Sequence, residues 1–233
     1  MNSKPTFVDV MRHGEPEGKC PEGGSILRGS IDHPLTNKGW QQVEQRILSV
    51  AGSLDSVHES WDIIITSPLA RCAEFAKSLV KNSANPLLSA SFLIEDSWRE
   101  LHYGDWEGMS TKKIWQEFPE LMEKMWQAPL EFCAPNGESV KDFSLRINQA
   151  WNSLLSEYQG KRVLLVCHGG VMRILLQQLL LISPGGMNRF ALPYAAMTRF
   201  RVDHAQVRDQ DSVEENVILQ HWPSLISHYG DEI

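Results

Sequence analysis

The feature that most restricts this chain is a repeated pattern: a short apolar run that ends abruptly in a polar cluster. Phe7-Val8-Asp9-Val10-Met11 gives way to Arg12-His13-Gly14-Glu15. Asp62-Ile63-Ile64-Ile65-Thr66 leads into Ser67-Pro68-Leu69-Ala70-Arg71. Arg162-Val163-Leu164-Leu165-Val166-Cys167 leads into His168-Gly169-Gly170. These runs are β-branched and continuous rather than alternating, as in strands buried on both faces of a parallel sheet. In open sheets of that kind, ligands bind beyond the carboxyl ends of the strands. The three polar clusters are therefore predicted to meet on one rim.

The segments between them read as helices. Residues 36–50 open on a threonine cap. Residues 68–80 have Ser67 as N-cap and Pro68 at the first helical position. Residues 139–158 place Val140, Phe143, Ile147, Trp151 and Leu154/Leu155 at helical spacing, and residues 171–182 stop before Ser183-Pro184-Gly185-Gly186. Thr198-Arg199-Phe200-Arg201-Val202 and Asn216-Val217-Ile218-Leu219-Gln220 alternate, as edge or antiparallel strands do. Alternating strand and helix predicts an α/β fold: a three-layer α/β/α sandwich with a mostly parallel mixed sheet. One domain is expected over 1–233, with a cap-like insertion at about 92–138. That insertion carries Trp98, Trp106, Trp115 and Trp126 and is expected to cover the edge of the sheet.

Composition enters as a set of exclusions. With 22 Lys+Arg against 29 Asp+Glu, the net charge is −7. A general nucleic-acid binder would need the opposite balance. Hydrophobic residues at 42% and charged residues at 22% exclude a disordered or collagen-like chain. The apolar stretch 163–182 contains His168, Arg173, Gln177 and Gln178. A central Arg costs about 2.5–3.5 kcal/mol in a bilayer, so this stretch reads as a buried strand and helix. Cys20, Cys72, Cys133 and Cys167 form no CxxC pair and no zinc spacing. The N-terminal residues lack the apolar run of a signal peptide. The expectation is a cytoplasmic monomer or homodimer with neither a membrane nor a nucleic-acid partner.

The rim itself carries the chemical signal. Two arginines and two histidines gathered there make a basic pocket in an acidic protein. The planar fork of Arg matches phosphate oxygens. Gly169-Gly170 admits a ligand close to the backbone, at the N-terminus of a helix whose free N–H groups and dipole favour an anion. A neutral His13 can attack phosphorus, with nearby Arg charges holding it neutral. Arg12, Arg71 and a protonated His168 are expected to stabilise the equatorial oxygens. A carboxylic acid must protonate the leaving alkoxide. Glu100 is the candidate, though spacing alone does not separate it from Asp105 or Glu107.

Taken together, these segments resemble the histidine phosphatase superfamily, also called phosphoglycerate mutase-like. Arg12-His13-Gly14-Glu15 is similar to its signature after the first strand, and Leu35-Thr36-Asn37-Lys38-Gly39 to its Leu-Thr-x-x-Gly helix entry. Ser67-Pro68-Leu69-Ala70-Arg71 is similar to Ser-Pro-Leu-x-Arg. Glu100 to Gly108 is similar to Glu-x-x-x-Gly-x-Trp-Glu-Gly, and His168-Gly169-Gly170 to the second histidine motif. The resemblance implies His13 as the phosphorylated nucleophile and Glu100 as proton donor. It implies Arg12, Arg71 and His168 as the phosphate pocket, and a phosphatase that needs no cofactor and no metal. His102 to Gly108 looks more like the phosphatase branch than the mutase branch, and α-ribazole phosphatases are the most similar group. The chain lacks the Asn that many members carry four residues after the first motif's Glu. Arg28 stands as its substitute in binding substrate, along with Gly169. The partner implied is a small phosphorylated metabolite.

Two other readings remain beside this one: a phosphoglycerate mutase or sugar-phosphate phosphatase, and a catalytically silent phosphate-binding domain. Cys72 and Cys167 read as small packing residues. The tryptophans read as insertion core, and His33, His58, His204, His221 and His228 as surface or structural. Beyond about Arg201 the chain resembles nothing specific.

Overall fold

The computed structural model describes residues 4–18, 25–52, 60–81, 90–208 and 217–229. The chain runs β1 (Thr6–Arg12), α1 (Asn37–Gly52), β2 (Ile63–Thr66), α2 (Ala70–Lys81), β3 (Ser91–Ile94), α3 (Thr111–Glu117), α4 (Pro119–Gln127), α5 (Val140–Glu157), β4 (Arg162–Cys167), α6 (Gly169–Leu179), β5 (Met197–Arg208) and β6 (Val217–Tyr229). The sheet order is β3-β2-β4-β1-β5-β6. The first four strands in that order are mutually parallel, while β5 runs antiparallel to β1, and β6 to β5.

The period-two alternation of each strand sorts the core into two layers. Val8, Val10, Ile63, Ile65, Val163 and Leu165 face α5 and α6. Met11, Ile64, Leu164 and Val166 face the other way, against Val43 and Ile47 of α1 and Phe75 of α2. The α/β/α sandwich with a mixed sheet is thus the observed fold. The chain leaves β1 for β2 on one side and β4 for β5 on the other, which makes the β1/β4 boundary a topological switch point.

Several details differ from the sequence reading. Residues 91–94, partly inside the expected insertion, form a fourth parallel strand. It is only four residues long and half exposed, so it lacked the apolar run of its neighbours. α2 starts at Ala70 rather than Pro68. Ser67, Pro68 and Leu69 are consumed in turning off the strand, and the Ala70 N–H is capped by Asp32 Oδ1 at 2.6 Å. α6 starts two residues earlier than expected, at Gly169, with His168 as its N-cap residue.

The segment 95–138 packs into the core layer that it shares with α5 and α6. Trp98 and Trp106 are fully buried, with Trp106 against Phe118 and Phe132. Trp115 and Trp126 are about half exposed. Arg146 of α5 clamps this segment, donating to Ser97 O at 2.7 Å and pairing with both carboxylate oxygens of Glu138. The two alternating segments belong to a hairpin of 12 and 13 residues, far longer than the alternation suggested. Cys20 and His58 lie outside the described residues, as do the side chains of His221 and His228. Among the described residues no helix is long and apolar enough to cross a membrane.

Candidate active site

Strand register alone places the two histidines side by side. Arg12 pairs with Cys167 and Thr66 with Val166. The residues just past these pairs therefore stand together at the carboxyl ends of the strands. The His13 and His168 ring centroids are 5.3 Å apart, nearly edge to face. Nε2 of His168 is 2.7 Å from Ser67 Oγ. Gly14 is required by packing, because a Cβ there would fall 2.1 Å from the Gly39 carbonyl oxygen at the start of α1.

His13 is buried, and its Nδ1 lies 2.7 Å from the Gly14 carbonyl oxygen. A carbonyl only accepts, so Nδ1 carries the proton and Nε2 keeps its lone pair. Burial, and then the charges of Arg71 and Arg12, hold the His13 pKa well below the usual 6.5. The ring is a neutral base with one nitrogen free to react.

The arginines are fixed by backbone carbonyls rather than by carboxylates. Arg71 is 1% exposed and donates to Ile31 O at 2.7 Å and Gly29 O at 2.8 Å. Arg12 donates through Nη1 to Leu192 O. In both, Nε is buried and has no protein acceptor. Buried donors in native proteins normally have a partner, so two orphaned guanidinium N–H groups beside a neutral imidazole mark a place for an oxyanion. Arg28 is anchored on Glu17 O, Gly18 O and Ile26 O. Arg12, His13, Arg28, Arg71, Glu100 and Gly169 all line one cavity of about 260 Å³.

Among the three candidate carboxylates the structure distinguishes clearly. Glu100 enters the cavity and accepts from Gly170 N at 3.1 Å and Leu101 N at 3.0 Å. A side chain at Gly170 would collide with it, a Cβ falling 2.1 Å from Oε1. Glu107 instead braces a loop, accepting from Ser30 N, Ser30 Oγ and Tyr103 N. Asp105 accepts from Asn136.

The sequence reading expects His168 to act as a cation. It is 0% exposed, and burial, then Arg71, His13 and Arg12, push its pKa well below 6.5, which favours a neutral ring behind His13. Cys72 Sγ lies 3.7 Å from His168 Nε2, and burial raises its thiol pKa, consistent with a packing role.

The cavity also has residues that the sequence reading did not assign to it: Tyr103, Met125, Arg173, Asn188 and Leu192. Arg173 carried a usable signal. It lies one helical turn beyond Gly169 and is the one charged residue of α6, where a charge needs a reason. Its Nη1 donates to Met187 O and Phe190 O. Tyr103 sits at a variable position inside the Glu100–Gly108 motif, and Met125, Asn188 and Leu192 come from segments with no recognisable spacing. Among the described residues no group of His, Cys, Asp and Glu is arranged to hold a metal ion.

The chain is similar to known proteins both in sequence and in fold. Residues 8–211 match the histidine phosphatase superfamily (branch 1). A 2,3-bisphosphoglycerate-dependent phosphoglycerate mutase of Rhizobium etli is 28% identical over 199 residues, covering 83% of this chain and 89% of that one. The solved structure of Bacillus stearothermophilus YhfR superposes with a TM-score of 0.70 at 25% identity, covering 91% of this chain and 96% of that one. A proposed alpha-ribazole-5'-P phosphatase from Escherichia coli str. K-12 substr. MG1655 shares the fold, with a TM-score of 0.65 at 23% identity over 94% and 96% of the two chains.

Proposed function

This chain belongs to the histidine phosphatase superfamily (branch 1), whose members are phosphatases and mutases; from that membership and the site's geometry we propose a metal-independent phosphomonoesterase acting through phospho-His13. The observation that carries the reading is the His13 ring itself. Its Nδ1–H is committed to Gly14 O, and its Nε2 lone pair is left among cations whose Nε–H groups have no acceptor.

A phosphomonoester enters with its oxygens on Arg12, Arg71, Arg28 and the N-terminus of α6 at Gly169. His13 Nε2 attacks phosphorus as the ester P–O bond breaks, and Glu100, in its protonated form, gives its proton to the leaving oxygen. The arginines stabilise the charge spread over the three equatorial oxygens. Water then attacks the phosphorus of phospho-His13. The resulting Glu100 carboxylate takes a proton from that water, the P–N bond breaks, and phosphate leaves with both residues restored. His168 and Ser67 set the orientation of the ring pair. The cationic charge comes from the chain's own side chains, so the reading assigns no step to a metal.

The substrate is a small phosphorylated metabolite. α-Ribazole 5′-phosphate is the named candidate, supported by the motif resemblance and by a shared fold. The mutase reading is favoured by several curated relatives that are phosphoglycerate mutases, the Rhizobium etli protein among them. The two differ in the fate of phospho-His13, which passes to water in one and to bound product in the other.

Hydrolysis of p-nitrophenyl phosphate in EDTA tests the reading, with acid quench to trap phosphoenzyme. We expect turnover, inhibition by vanadate, and an acid-labile phosphohistidine that is absent from His13→Ala. Undiminished turnover in that variant would overturn the nucleophile. Isomerisation of 3-phosphoglycerate faster than phosphate release would favour the mutase.

A further inference from the structure

Leu192 lines the cavity from a segment outside all the recognised motifs, the turn of residues 192–196 between α6 and β5. It is tied to the nucleophile's own backbone. Ala195 N donates to His13 O at 3.1 Å, and Arg12 N donates to Ala196 O at 2.9 Å. Ala195 is held at φ +59°, a left-handed conformation that is uncommon outside glycine. A buried arginine of α1, Arg46, donates to its carbonyl at 3.0 Å. A turn fixed from three sides presents its side chains in defined directions.

Tyr194 is the side chain so presented. The Arg12 guanidinium lies over its ring, 4.4 Å from the centroid, and the same ring is 5.8 Å from that of His13. An aromatic face attracts a guanidinium through its quadrupole. Arg12 is thus held on one face by Tyr194 and at Nη1 by Leu192 O. Its remaining buried donor, Nε, faces the start of α6, where a Cβ on Gly169 would lie 3.3 Å away. Burial lowers the Arg28 pKa, and Tyr194, close to that guanidinium, offsets part of the lowering. One side chain therefore bears on two of the three cations whose charges act on His13.

We propose that Tyr194 is a positioning residue for phosphoryl transfer, holding Arg12 flat so that its Nε–H points at the phosphoryl oxygens. The role works through Arg12 and rests on the phosphatase reading. The aromatic face does the positioning, while the phenol oxygen adds a smaller contribution at Arg28. Phenylalanine therefore substitutes well and an aliphatic side chain does not.

The test compares Tyr194→Phe with Tyr194→Leu and Tyr194→Met. The measurements are kcat and KM on p-nitrophenyl phosphate per phosphorylatable active site, and the inhibition constant of inorganic phosphate. We expect the aliphatic variants to weaken phosphate about 3- to 30-fold, the span of a cation–π contact. They lose kcat/KM by at least as much, whereas the Phe variant stays within about threefold of wild type. Normalising to active sites removes any loss through misfolding, and two aliphatic side chains guard against one that does not fold. Wild-type phosphate affinity in Leu or Met, or a Phe variant as impaired as either, would overturn the role. If wild type neither forms phosphoenzyme nor binds phosphate, the phosphatase reading fails instead.

Discussion

The two ends of the cavity are built by different means. Around His13, every group is held by strand register or by backbone carbonyls. His13 and His168 emerge from paired strands, Arg71 is fixed on Gly29 O and Ile31 O, and Ser67 abuts His168. At the other end, Tyr103 and Met125 come from the 95–138 segment, and Asn188 from the chain after α6. Groups fixed to a sheet suit a reaction with tight geometric demands, while loops on that scaffold vary freely and suit substrate selection. Glu100 joins the ends. It belongs to the loop segment, yet it is pinned to α6 through Gly170 N.

If catalysis resides at the strand end, the largest losses follow from changes there. His13→Ala removes the nucleophile and should lower kcat by about 10³-fold or more, read as initial rates beside loss of the phosphoenzyme. Arg71→Met comes next. Loss of a preorganised donor to the developing charge is worth about 10²–10³ in rate. The variant also strands the carbonyls of Gly29 and Ile31, at about 1–3 kcal/mol each if they stay buried. Activity should therefore fall together with the thermal midpoint. Wild-type kcat/KM in a folded Arg71→Met would erase the distinction between the two ends.

Glu100→Gln sharpens the comparison, because it separates proton donation from binding. General acid catalysis is worth about 10²–10⁴-fold where the leaving group needs a proton. We expect a loss of that order on alkyl phosphates and a much smaller one on p-nitrophenyl phosphate, whose leaving group departs as a stable anion. Equal losses on both would move Glu100 from acid to structural brace.

The same division explains what could be read from the amino-acid sequence. The strand end was legible because its signal is local: an apolar run, then Arg-His, Ser-Pro or His-Gly-Gly. Glu100 was only half legible, since Asp105 and Glu107 share its surroundings in sequence. Its assignment depends on the approach of Gly170, a contact across 70 positions. Tyr194 carried no local signal at all, and its place follows from a turn bonded to His13 and Arg46, residues remote in the chain. The short β3 was missed for a related reason. A half-exposed edge strand has no buried face to impose a pattern. The charge state of His168 is not legible either, because burial, which sequence does not display, pushes its pKa down against the appeal of a cation beside phosphate.

That burial has a consequence for stability. His13 and His168 are both held neutral, with pKa values well below 6.5, chiefly by burial. The unfolded chain protonates them near 6.5. Between the folded pKa values and 6.5 the unfolded state binds more protons, so stability rises with pH in that window and falls as pH drops below 6.5. Each group contributes up to about 1.4 kcal/mol per pH unit there. The thermal midpoint should fall from pH 7 towards pH 5, and less steeply in His168→Gln. The activity profile should likewise keep a neutral nucleophile below pH 6.5. An inactivation limb centred on that ordinary value would contradict the depressed His13 pKa.

The smallest effect probes how the strand end is itself supported. Asp32 lies outside the cavity lining, but its carboxylate caps the Ala70 N–H of α2, one residue before Arg71. The loop it ends, 28–32, also supplies the two carbonyls that hold Arg71 and contains Arg28. Removing an N-cap carboxylate costs about 1 kcal/mol, and its negative charge is also favourable at the positive end of the helix. Asp32→Ala should therefore lower the thermal midpoint by a few degrees, as about 1 kcal/mol does in a domain of this size. Because cap and clamp belong to one loop, KM should also rise a few-fold while kcat changes less, since the nucleophile is held by β1 and not by α2. Asp32→Asn, which still accepts the hydrogen bond, should recover most of both effects. A drop in kcat equal to that of Arg71→Met would mean that the phosphate grip depends on this loop as much as on the sheet, and the two ends of the cavity would no longer be separable.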